Sequence, residues 1–194
     1  KTESVEKGAQ RQGLRLLASL STDSKDSFFK KERSTITRFF PEAQILDGKS
    51  ANLAALQGEL GEEDILHISA TGTSNRLDPK SSYLQLYPAS SEANQLQVKE
   101  ITSKPTKRKL TLLTQASPSE AFTCSFLTQG TKAVIANTGK SGDTSSLFLT
   151  KSFYKNYLAG KNPCDSLRQA QLTTRKYFPA DLTWANFRIY GACE

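Results

Sequence analysis

The chain has 194 residues, of which 37% are hydrophobic and 23% charged, and its formal net charge is +7. That length suits one domain, or at most a domain with a small appendage, and buries roughly 70% of the unfolded surface without a metal or disulfide staple. No apolar run approaches the roughly 18 residues of a membrane span, so no membrane partner is expected. Three widely spaced cysteines and one histidine form no zinc pattern, and no metal or other cofactor is expected. The odd cysteine count argues against a disulfide framework and favours a reducing, cytoplasmic setting. Methionine is absent altogether, so the chain reads as a piece of a longer polypeptide.

Residues 1–12 are polar and read as a lead-in or linker, leaving 13–194 for one domain. A first strand is expected at Leu14–Leu20, followed by a helix over Ser24–Phe40 that sets Phe29, Ile36 and Phe40 near one face. A second strand at Ala43–Leu46 leads to a helix over Ser50–Leu60 with Leu53, Leu56 and Leu60 together. Asp64–Ala70 is the third strand. The alternation in "YLQLY" (83–87) suits a peripheral hairpin with one wet face. "LTLLT" (110–114) and "AVIAN" (133–137) are largely apolar, as befits strands covered on both sides. Between them Glu120–Gln129 is helical, carrying Phe122, Phe126 and Leu127. Helices follow at Ser145–Leu158, with Phe148, Leu149, Ser152 and Phe153, and from Pro163 to about Tyr177. Asn162 can cap the latter and Pro163 fits its first turn. A last strand is expected at Trp184–Tyr190. Strands alternating with helices predict an α/β three-layer sandwich, with a mostly parallel central sheet and helices on both faces. The aromatic stripes at helical spacing belong to its core.

Ligand chemistry in such sheets sits beyond the carboxyl ends of the strands, which directs attention to the loops after "DILHISA" and "KLTLLT". Positive charge gathers at "KKER" (30–33) and "KPTKRK" (104–109). Neither cluster carries interleaved aromatics or a nucleic-acid motif, so both read as solvated charge and no nucleic-acid partner is expected. An acidic partner at 104–109 is the alternative. The G-K-S in "NTGKSGDTSS" lacks the leading glycine of a phosphate loop, whose place falls at Val134.

Five blocks, "DILHISATG", "KLTLLTQASP", "SFLTQGTKAVIANT", "SLFLTKSFYKNYLAGKNPCDSLRQAQ" and "WANFRIYG", resemble in order the signature blocks of CHAT domains. These are caspase-like cysteine-peptidase domains of the separase and gingipain clan. The resemblance spans roughly Leu14 to Gly191 and implies a caspase-like fold with a cysteine–histidine dyad. In the family the first of these strands carries two histidines, the catalytic one just before the glycine. Here that position is Thr71, followed by Gly72, and His67 matches the other, non-catalytic one. The nucleophile's place in "LTLLTQASP" matches Ala116. "QASPSE" also lacks the family's glycine-rich continuation, and "ANTGKSGD" (136–143) lacks its tryptophan.

A cysteine peptidase needs a thiolate and an imidazole to activate it and protonate the leaving amine. Ala116 offers a methyl group, and Thr71 cannot shuttle protons near neutral pH. The resemblance therefore implies a pseudo-peptidase that acts by binding, as a scaffolding or regulatory module. Its partner would be a protein or peptide, such as an active relative, held in a cleft at Thr71, Gly72, Ala116 and Ser117. The competing possibility is an active peptidase with a displaced dyad, His67 plus Cys124. Against it, His67 is expected in the interior, sharing a strand face with Thr71 about 13 Å away. Cys124 is expected to pack as a small buried hydrophobe within its helix. Cys164, in a helix first turn, reads as surface packing, and Cys193 as an exposed terminal thiol. Ser117 and Ser119 have no base with which to act.

Overall fold

Largely apolar strands with amphipathic helices between them produce a three-layer α/β sandwich in the computed structural model, which describes residues 14–20, 27–61, 63–75, 77–87, 92–101, 105–114, 120–139 and 143–193. In chain order the elements are β1 (Leu16–Leu20), α1 (Ser27–Phe39), β2 (Gln44–Asp47), α2 (Leu53–Glu59), β3 (Ile65–Ser69), β4 (Thr71–Thr73), β5 (Tyr83–Gln85), β6 (Gln95–Gln97), α3 (Val98–Ile101), β7 (Leu110–Leu113), α4 (Glu120–Gln129), β8 (Ala133–Asn137), α5 (Asp143–Leu158), α6 (Pro163–Tyr177), α7 (Thr183–Asn186) and β9 (Phe187–Gly191). The main sheet runs β2-β1-β3-β7-β8-β9, parallel except for β9, which pairs antiparallel with β8.

Alternation along the central strands separates two cores. Leu66, Ile68, Leu113 and Val134 face one way and pack with Leu56 of α2, Ile101 of α3, and Phe122 and Phe126 of α4. Ile65, Leu110, Leu112 and Ile135 face the other way, against Ile36 of α1, Leu149 and Phe153 of α5, and Leu167 of α6. α2, α3 and α4 therefore cover one face of the sheet, and α1, α5 and α6 the other. Gly130 ends α4 at φ +114, and a Cβ there would collide with the Thr106 carbonyl oxygen. Only glycine suits that approach.

The expected strands and long helices occur with small shifts at their ends. Three expectations are corrected. The last strand begins at Phe187, three residues later than expected, because Thr183–Asn186 forms the short helix α7. Asp181 sets that turn: its carboxylate accepts from the Thr183 amide at 2.9 Å and from the Thr183 hydroxyl at 2.5 Å. The peripheral hairpin is a three-stranded antiparallel sheet, β4-β5-β6, which takes in Thr71–Thr73. Lastly, Cys164 and Cys193, 29 positions apart in sequence, are joined in a disulfide, with Cα atoms 5.3 Å apart. It ties the start of α6 to the chain just beyond β9, and closing a loop of that size stabilises a fold by about 3.6 kcal/mol in the chain-entropy view. The odd cysteine count thus concealed one bridge and one free thiol, and it no longer speaks for a reducing compartment.

Asp181 also accepts from the Ser145 hydroxyl near the start of α5, and Ser145 contacts the Thr183 hydroxyl at 2.9 Å. The bonds from Ser145 and then Thr183 outweigh burial and hold the Asp181 carboxyl below its ordinary value of 3.8. A carboxyl depressed in the folded state contributes stability above its unfolded pKa, and that contribution is lost as pH falls through the folded value. The melting temperature of the protein is therefore expected to drop between about pH 5 and pH 3 more steeply than that of an Asp181→Asn variant. Parallel curves would remove Asp181 from the acid response.

Candidate functional site

The two loops singled out by topology leave neighbouring strands at the same end. β3 and β7 pair in parallel with Ile68 opposite Leu113, and the Thr114 amide donates to the Ile68 carbonyl at 3.1 Å. From Ile68 the chain reaches Thr71 in three residues; from Thr114 it reaches Ala116 in two. Ala116 and Ser117, with Ser119, lie outside the described residues.

Thr71 and Gly72 do not continue β3. Main-sheet pairing stops at Ser69, and Thr71 opens β4, where it pairs with Gln85 and is exposed. The expected shared face with His67 is corrected accordingly: the chain changes sheets at Ala70, which breaks the two-residue alternation that would align residues 67 and 71. β4 pairs only with β5 among the described residues and so stands at an edge of the small sheet.

His67 is fully buried, as expected of an interior residue. Its Nδ1 lies 2.7 Å from the Tyr154 hydroxyl of α5, and its Nε2 lies 3.1 Å from Glu32 Oε1 of α1. Burial, reinforced by the Glu32 charge, raises the Tyr154 phenol well above its ordinary 10.0, so it remains protonated. A proton on Nε2 satisfies both contacts at once, with Nε2–H donating to Glu32 and Nδ1 accepting from Tyr154. The same carboxylate oxygen accepts from the Thr114 hydroxyl at 2.9 Å, and Asn137 at the end of β8 donates to the Thr114 carbonyl at 3.0 Å. Five side chains from α1, β3, the end of β7, β8 and α5 thus form one interior network. Both imidazole nitrogens are occupied within it.

Glu32 escaped the sequence reading, which placed "KKER" on the solvated surface. Lys30, Lys31 and Arg33 are exposed, but Glu32 is 1% exposed. Its position four residues before Ile36 on the core face of α1 is the signal that could have found it. "KPTKRK" divides in the same way. The Arg108 guanidinium is fully buried: its Nε donates to Glu63 Oε1 at 2.7 Å, and Nη2 also contacts Glu63. Lys109 pairs with Asp64 at 2.9 Å. Two cations of a cluster expected to be solvated, with an acidic partner as the alternative, are therefore committed to neutralising the acidic pair before β3.

Cys124 is exposed, which corrects its expected burial. In α4 its neighbours Phe122, Ser125 and Phe126 turn inward while it turns out. α4 covers the face of the sheet opposite to the one on which His67 lies. The chain's only imidazole and its one free thiol are separated by the sheet. Among the described residues, no group of three or more histidine, cysteine, aspartate or glutamate side chains is placed to hold a metal ion. No described helix is long and apolar enough to cross a membrane.

The family model for the CHAT domain matches residues 6–192 of the chain. No curated protein matches it.

Proposed function

We propose, because this chain belongs to the CHAT domain family, with its cysteine-peptidase-like fold, that it is a catalytically inactive member working as a protein-interaction, scaffolding or regulatory module within a larger protein. One observation carries this reading: the only histidine is fully buried with both ring nitrogens engaged, and the only free cysteine stands across the sheet from it. A displaced dyad would need a thiol and an imidazole within hydrogen-bond reach. The positions that resemble the family's dyad, Thr71 and Ala116, supply a hydroxyl and a methyl instead.

The edge strand β4 gives such a domain a means of binding. Thr71 and Thr73 are exposed, and an extended peptide can add to a short strand edge through backbone hydrogen bonds. Thr71, Gly72, Ala116 and Ser117 are the residues that would line this peptide cleft. The partner is a protein or peptide, an active relative being one candidate. The Cys164–Cys193 bridge weighs toward an oxidising setting and against the cytoplasmic one expected from cysteine count.

Installing both missing groups tests the reading. The Thr71→His, Ala116→Cys double variant should become labelled at residue 116 by a peptide chloromethyl ketone and should cleave peptides, while either single variant stays inert. Labelling of the double variant no faster than of Ala116→Cys alone would show that the two positions do not form a dyad.

A further inference from the structure

A groove of about 490 Å³ runs between α1 and α5, on the helical layer that covers the His67 face of the sheet. α1 contributes Lys31, Thr35 and Arg38 at helical spacing, with Lys30 beside them; α5 contributes Thr144, Leu147, Phe148 and Lys151. Four of the ten lining residues are cationic and none is acidic. Lys30, Lys31, Arg38 and Lys151 are all exposed, and none forms an ion pair among the described residues. The floor between them is apolar and held in place. Phe39 packs toward Tyr154 at 6.4 Å between ring centroids, and Phe148 against Tyr177 and Phe178 at 5.3 and 5.4 Å. Cations at the rim over a fixed aromatic floor call for a ligand that is acidic at its edges and apolar at its centre.

We infer that this groove docks an acidic amphipathic helix of a partner protein. From Lys30 to Arg38 the positive rim on α1 extends about 12 Å, the length of roughly two helical turns. A helix laid in the groove would place apolar anchors at i, i+3, i+4 and i+7 over Phe39 and Phe148, with carboxylates reaching the four cations. A second copy of this chain fits poorly. Each copy carries +7, and in its acidic stretch before β3, Glu63 and Asp64 are already paired with Arg108 and Lys109. The inference rests on the reading of the domain as an interaction module, but it uses a surface different from the β4 edge.

The probe is a fluorescein-labelled amphipathic peptide of about 14 residues, with leucines at i, i+3, i+4 and i+7 and glutamates elsewhere, read by fluorescence anisotropy against the full chain. Saturable binding is expected, with the lysine-for-glutamate peptide and a leucine-free glutamate peptide both binding at least about tenfold more weakly. Arg38→Glu combined with Lys151→Glu, both at exposed positions, should cost a further tenfold or so, whereas Thr71→Pro, on the separate β4 surface, should leave the affinity for this peptide unchanged. Absence of binding, equal binding by the leucine-free peptide, or insensitivity to the two charge reversals would overturn the inference. Sensitivity to Thr71→Pro instead would move the site to the β4 edge, overturning the groove while leaving the interaction reading standing. Co-sedimentation with phosphatidylserine vesicles that exceeds peptide binding and is lost in the charge-reversed variant would also overturn it, in favour of a membrane surface.

Discussion

Replacing Glu63 by Ala is expected to destabilise the domain by about 3–5 kcal/mol, because it strands a buried guanidinium without its counter-ion. Arg108 is 0% exposed and Glu63 7%. Burial pulls the Arg108 pKa down, and the charge and hydrogen bonds of Glu63 oppose that pull. The remaining partners of Arg108 are weak: Thr131, Gln129 and Thr111 lie 3.3–3.5 Å from Nη1, and the Phe126 ring is 5.9 Å away. None supplies negative charge. Replacing both members, Glu63→Leu with Arg108→Met, should recover most of the loss, since a buried ion pair stabilises little relative to an apolar pair of similar volume. Urea denaturation of Glu63→Leu, Arg108→Met and their double variant gives the coupling directly. A Glu63→Ala cost below about 1 kcal/mol would mean that water reaches the guanidinium.

His67→Leu is expected to cost a similar amount, about 3–5 kcal/mol, through the carboxylate it abandons. Among the described residues, Glu32 would keep only the Thr114 hydroxyl at Oε1, and its Oε2 has no hydrogen-bond partner even with His67 in place. The Tyr154 hydroxyl would lose its imidazole partner as well. Pairing His67→Leu with Glu32→Met removes the stranded charge, and the double variant should be more stable than His67→Leu alone. The histidine is then a structural residue, whose loss lowers the stability of the domain. A folded His67→Leu protein within about 1 kcal/mol of the original would contradict this role and reopen the question of what the imidazole does.

The sheet and its covering helices were legible because their signals are local and redundant. "AVIAN" and "LTLLT" are too apolar to be anything but covered strands, and Asn162 accepts from the Asp165 amide as its position before Pro163 foretold. What escaped depends on which residues meet across the fold. Glu32 and Arg108 sit in runs of charge that look solvated, and only partners 35 and 45 positions away along the chain make their burial tolerable. Cys164 and Cys193 read as unrelated until β9 returns beside α6. Thr71 looked like the fourth step along a strand from His67, but the chain leaves the main sheet at Ala70, a change that alternation alone cannot announce. The burial of His67 was readable from its place within an apolar strand; its partners, one helix on each side of it in the chain, were not.

The proposed inactivity as a peptidase is tested most directly by incubating the unmodified protein with a mixed peptide library under reducing and non-reducing conditions and reading cleavage by mass spectrometry. No cleavage above that of a heat-inactivated control is expected in either condition. Cleavage that disappears in Cys124→Ala, a substitution at an exposed position, would contradict the account, because it would place a working nucleophile where the fold leaves it no imidazole.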